Sequence, residues 1–263
     1  MNLIDKLKKM PIRRFDFDYE WYRKNKKLGY QKVSRINVIK SDYRHAEELT
    51  SCSREGLLNR NYYYEETDKS VVNNSGEYSI KKKSFVFTKE VFLRESLVVD
   101  LKKIDYRLEK FRLRLFISSG YRNEKMQKMA IQRIARQKRG PDAKPVDELF
   151  SNPRDYSPHT TGGAVDLEIW DLREKKLLLT KLKDRERIDL FYLENKNNLS
   201  LEEMRVRDNR RLLHNLLVSE EILGKNHFIH HPSEYWHYGR HERLASFLSG
   251  GTHPVYYDSL NLD

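Results

Sequence analysis

Two histidines, an aspartate, a glutamate and an arginine carry the chemistry this sequence can do. His159 and Asp166 stand seven residues apart in "SPHTTGGAVDL" (157–167), and Glu234 and His237 share the short stretch "EYWH". A catalytic zinc takes three protein ligands from His, Asp or Glu and keeps one position open for water. His159, Asp166 and His237 complete such a set, and Glu234 is then the carboxylate beside the bound water, accepting its proton and passing it on. Attack on an amide turns the carbonyl oxygen into an oxyanion, which a fixed cation stabilises. Arg122, directly after "SSGY" (118–121), is placed to supply that charge. Taken alone, His159 and Asp166 read equally well as a structural hydrogen-bonded pair, and Arg122 as an exposed arginine at a helix start. His227, His230 and His231 precede Pro232 and read as a solvated turn.

Positioning these groups requires particular elements. "AVDLEIWDL" (164–172) alternates, with Val165, Leu167 and Ile169 on one face and Asp166 and Glu168 on the other, which predicts a strand. Gly162 and Gly163 before it permit the tight turn that lets His159 approach Asp166. On a flat strand Glu234 and His237, three apart, point oppositely, so a bulge or turn near Tyr235 is required if both face one ion. "RLRLFISSGYR" (112–122) predicts a second strand ending at Arg122. Apolar spacing of three and four predicts helices over 88–111, 123–138 and 200–223, the last opened by a capping box of Ser200 and Glu203. Residues 61–80 read as a loop or hairpin and 140–158 as a Pro-rich connection. Helices and strands mix without regular alternation, so the expected fold class is α+β: a small central antiparallel sheet flanked by helices, with the metal in a surface cleft. Residues 1–60 read as an N-terminal extension and 61–263 as the catalytic domain.

The bulk composition bounds the rest. With 38% hydrophobic and 11% aromatic residues in 263, a packed core is available. The 51 Lys+Arg against 39 Asp+Glu give +12, read here as a solvated basic face. Neither a zinc-finger pattern nor an RNP-type aromatic motif accompanies that charge, so nucleic acid is not the expected partner. Cys52 is the single cysteine, which excludes an intrachain disulfide. The charged N-terminus has no apolar core of a secretory signal, and no run approaches a membrane span, so a cytoplasmic protein is expected.

The motifs also carry a resemblance. "SPHTTGGAVDL" resembles the SxHxxGxAxD motif, and "EYWH" the ExxH motif, of the D-alanyl-D-alanine metallopeptidases. The order of "SGYR", SxHxxGxAxD, "NRRLL" and ExWH, across roughly residues 75–245, is most similar to the zinc D-Ala-D-Ala dipeptidases. The resemblance implies one Zn2+ held by His159, Asp166 and His237, Glu234 as catalytic base, Arg122 as transition-state stabiliser and Ser157 as a substrate contact. It implies hydrolysis of D-Ala-D-Ala by metal-activated water, in D-alanine recycling or depletion of a peptidoglycan precursor. Ser119 and Asn123 stand where such dipeptidases usually have Asp before "GYR" and Pro after it. The segment after the Asp166 strand is unusually charged, and the loop before Glu234 carries an extra "HFIHHP". These loops bear on substrate size, and two alternatives follow: a carboxypeptidase or endopeptidase acting on peptidoglycan stem peptides, and a non-catalytic zinc-containing binding protein.

Overall fold

The computed structural model describes residues 2–10, 12, 32–33, 35–39, 48–61, 90–124, 126–127, 157–181, 199–231 and 234–260. Within them the chain runs α1 (Leu3–Lys9), β1 (Leu49–Ser51), β2 (Leu58–Asn59), β3 (Phe92–Arg94), α2 (Glu95–Glu109) and β4 (Leu113–Ser119). It continues through a 3-10 turn (Pro158–Thr161), β5 (Ala164–Asp171), β6 (Lys176–Leu177), α3 (Leu201–Leu217) and α4 (Glu220–Leu223). A second 3-10 turn (Gly224–Asn226), β7 (Ile229–His230), β8 (His237–Gly239) and α5 (Arg243–Leu248) follow. The protein is a mixed α+β structure.

The strand order β2-β4-β5-β8-β7, with β6 also on β5, makes a six-stranded sheet; β1 and β3 form a separate antiparallel pair. The expected small central antiparallel sheet is larger and mixed, because β2 runs parallel to β4 while the other pairings are antiparallel. Alternation dictates what β5 buries. Val165, Leu167 and Ile169 join one core with Leu97, Leu101, Ile104 and Leu108 of α2 and Leu212, Leu213 and Leu216 of α3. Asp166 and Glu168 take the opposite face, where the site lies.

Helix α2 begins at Glu95, not at 88, because Phe92–Arg94 pairs with β1 and the Phe92 carbonyl accepts the Tyr121 N–H at 2.7 Å. Tertiary pairing there overrides the helical spacing. Helix α3 opens with the expected capping box: Glu203 N–H donates to Ser200 Oγ, and Ser200 N–H to the Glu203 carboxylate. It stops at Leu217, whose carbonyl accepts the N–H of Phe228, and the chain restarts as the four-residue α4. Helix α1 packs on α3, with Ile4 and Leu7 in the core and Asn215 Nδ2 donating to the Leu7 carbonyl at 2.8 Å. Most of the helix expected over 123–138 lies outside the described residues, as do all but residue 61 of the loop expected over 61–80 and all but residues 157–158 of the connection expected over 140–158. Among the described residues, no helix is long and apolar enough to cross a membrane.

Candidate metal centre

Register in the sheet assembles the centre. Asp166 on β5 lies opposite Ser119 of β4 on one side and His237 of β8 on the other. His159 enters from the 3-10 turn just before β5. That turn is closed by Gly162 in the left-handed region, φ 72°, where its N–H donates to the His159 carbonyl. Gly163 is needed for close approach: a Cβ there would stand 2.8 Å from the Arg240 carbonyl oxygen and 2.9 Å from the Tyr257 ring. The turn expected near Tyr235 is present, and the His237 N–H donates to the Glu234 carbonyl across it at 3.0 Å.

Three donor atoms converge. His159 Nε2 lies 3.2 Å from His237 Nδ1 and 3.4 Å from Asp166 Oδ1, and His237 Nδ1 lies 3.0 Å from the same Oδ1. Bonds of about 2.0–2.1 Å to a tetrahedral ion put neighbouring ligand atoms roughly 3.3 Å apart, so this triangle fits one face of such a site. All three residues are buried, and together they could hold a metal ion.

Surrounding bonds aim each donor. The Gly120 carbonyl, 2.8 Å from His159 Nδ1, can only accept, so Nδ1 carries the proton and Nε2 presents its lone pair. A Cβ on Gly120 would stand 2.7 Å from Val91 Cγ1 and against the Phe92 carbonyl, which holds that position to glycine. Arg122 is buried, not an exposed helix-start arginine: its NH2 donates to Asp166 Oδ2 at 2.7 Å, leaving Oδ1 for the centre. The same NH2 is 3.1 Å from His159 Nε2, while Nε donates to Ser119 Oγ and NH1 to Gln127 Oε1. Sequence reasoning missed Gly120, Ser119 and Gln127 as supports; the two polar side chains lie close to Arg122 in the chain, which is the one signal that pointed to them. The 256–260 segment braces the turn as well, since Leu260 N–H donates to the Thr160 carbonyl and Tyr121 OH to the Leu260 carbonyl.

Burial and neighbouring charges act differently on the three donors. Burial raises the Asp166 carboxyl, but His159, His237 and Arg122 outweigh it and hold the group well below the usual carboxylate range. Burial, aided by the Arg122 charge, pushes His159 down to about 4, so its imidazole is a neutral ligand at pH 7. Burial lowers His237 too, yet its bond to Asp166 prevails and the net direction is up. His237 Nε2 is buried and has no hydrogen-bond partner among the described residues. Glu234 is not in the triangle. Its Oε2 stands 3.7 Å from His237 Nδ1, and its side chain is 27% exposed. Ser157 is buried at the start of the 3-10 turn, and among the described residues its Oγ has no partner.

The solvated turn expected for His230 and His231 is corrected: they are 5% and 2% exposed. Pairing of β7 with β8 places His230 opposite Tyr238, and His231 N–H donates to the His237 carbonyl at 2.9 Å. His227 is half-buried, its ring 4.6 Å from that of His253. The His230 ring lies 5.3 Å from His214 of α3, whose burial pushes its pKa down to about 3. A histidine neutral in the fold but protonated when unfolded costs stability below about pH 6.5, the unfolded value. Denaturant melts of the chelated protein should therefore show stability falling as pH drops from 6.5 toward 4. His214→Gln should flatten that slope by about 1.4 kcal/mol per pH unit. An unchanged slope would show that His214 does not stay neutral in the folded chain.

No family model matches this chain, and no curated protein does.

Proposed function

We propose that this chain is a zinc-dependent D-alanyl-D-alanine dipeptidase. The observation that carries the reading is the convergence of His159 Nε2, Asp166 Oδ1 and His237 Nδ1 within 3.0–3.4 Å, beside the partly exposed carboxylate of Glu234. Two nitrogens and one oxygen make a donor set suited to zinc, and three protein ligands are what a catalytic zinc takes. The D-Ala-D-Ala substrate rests on the likeness of "SPHTTGGAVDL" and "EYWH" to the dipeptidase motifs. When bound, the ion supplies a Lewis acid for the scissile carbonyl and acidifies the attacking water.

The chain's own residues supply the other parts. Glu234 accepts the proton of the attacking water and delivers it to the leaving amine. Arg122, held by Ser119, Gln127 and Asp166, keeps a fixed positive charge at the edge of the centre, where the carbonyl oxygen becomes negative. Ser157 Oγ, buried with no partner among the described residues, is available to bind the substrate's carboxylate.

A panel of D-Ala-D-Ala, L-Ala-L-Ala and an amine-blocked stem pentapeptide tests the reading. Cleavage of D-Ala-D-Ala that stops on chelation and returns with zinc is expected. Preference for the blocked pentapeptide would make the enzyme a carboxypeptidase or endopeptidase. Zinc bound without hydrolysis of any D-Ala peptide would make it a binding protein.

A further inference from the structure

Tyr235 follows Glu234 directly and precedes His237 by two residues, so whatever fixes its ring also fixes the turn carrying both groups. The ring is 2% exposed and lies against Arg210 of α3, itself 1% exposed, with the guanidinium carbon 4.1 Å from the ring centroid. A guanidinium taken out of water regains part of its solvation from an aromatic face, which makes a buried contact of this kind stronger than a surface one. A second bond aims Arg210: its Nε donates to the Thr180 carbonyl at 2.8 Å. Thr180 Oγ1 donates to Glu168 Oε1 of β5 at 2.6 Å, and the Tyr235 OH reaches the same oxygen at 3.4 Å. Tyr235 is thus held at its face by α3 and at its hydroxyl by β5.

The two groups on the turn are not secured equally. His237 belongs to β8 and is paired in register with Asp166 of β5. Glu234 precedes that strand; its N–H donates to the His231 carbonyl at 3.2 Å and its carbonyl accepts the His237 N–H at 3.0 Å. Loosening Tyr235 therefore displaces Glu234 before it disturbs the donor triangle.

We propose that Arg210 is a positioning residue for Glu234, acting through the Tyr235 ring to hold the 234–237 turn against α3. The inference rests on the dipeptidase reading, in which Glu234 moves the proton. Misplacing such a group by about 1 Å costs up to about 100-fold in rate.

Three variants of the zinc-loaded full chain test this. Arg210→Met keeps a long stem and removes the guanidinium, Arg210→Lys keeps a cation, and Tyr235→Leu removes the ring from the other side. Kinetics on D-Ala-D-Ala, elemental analysis and amide hydrogen exchange are read on each. Arg210→Met should lower kcat by about 10-fold with KM and zinc content unchanged. It should also speed exchange at the Glu234 and His237 amides relative to those of β5. Arg210→Lys should recover part of kcat, and Arg210→Met combined with Tyr235→Leu should lose no more than the worse single variant. Unchanged kcat and exchange in Arg210→Met overturn the proposal and leave the dipeptidase reading standing. Zinc lost together with kcat, or exchange raised throughout the sheet, also overturns it, because Arg210 would then support the fold at large. If Arg210→Met does not fold, Tyr235→Leu and Arg210→Lys decide by the same readouts. A wild type that cleaves no D-Ala peptide overturns the dipeptidase reading. Exchange confined to the turn would then support the clamp by itself, and an undisturbed turn would overturn that too.

Discussion

Replacing Glu234 with alanine should leave one zinc per chain and lower D-Ala-D-Ala hydrolysis by about 10²–10⁴-fold. The two effects separate because Glu234 is outside the donor triangle. His159, Asp166 and His237 keep their partners without it: Gly120 for His159, Arg122 for Asp166, and Asp166 for His237. What disappears is a carboxylate 3.7 Å from His237 Nδ1 that lies outside the donor triangle. Glu234→Gln keeps the shape and should be as inactive, which assigns the loss to the proton and not to a cavity. Elemental analysis alongside kcat decides the matter, and near-normal turnover in either variant would remove Glu234 from the mechanism.

Asp166→Ala should be more damaging than loss of either histidine, because Asp166 belongs both to the donor triangle and to the buried ion pair with Arg122. It supplies one of three donor atoms, so affinity should drop by more than about 100-fold, beyond the usual effect of losing an outer partner. It also neutralises Arg122, whose side chain is 5% exposed, and removing one member of a buried ion pair costs about 3–5 kcal/mol. His159→Ala provides the contrast. It should lose metal to a similar degree, with no charge left uncompensated and a smaller loss of stability. Competition against a chromophoric chelator measures the first effect and denaturant melts the second. Full zinc occupancy in His159→Ala would refute the ligand assignment, and equal stability of the two variants would refute the role of Asp166 in neutralising Arg122.

Local rules made part of this legible. The alternation of 164–172 gives β5 with Val165, Leu167 and Ile169 buried, and the Ser200–Glu203 pair caps α3 as its spacing requires. The same rules failed where distant chain intervened. Phe92–Arg94 has helical spacing but is drawn into a strand by β1. His230 and His231 look like a polar turn beside Pro232, yet pairing with β8 buries them.

By itself, then, the sequence determined the residue types, the strand that carries Asp166, the glycine turn that returns His159 toward it, and the need for a turn after Glu234. Only the tertiary structure decided that Asp166 meets His237, 71 residues away, and that Arg122 turns inward onto its second oxygen. The reason is physical. Side-chain alternation is a property of one strand, whereas register is set by which backbone groups two remote strands share, and a slip of one residue would send His237 to the opposite face.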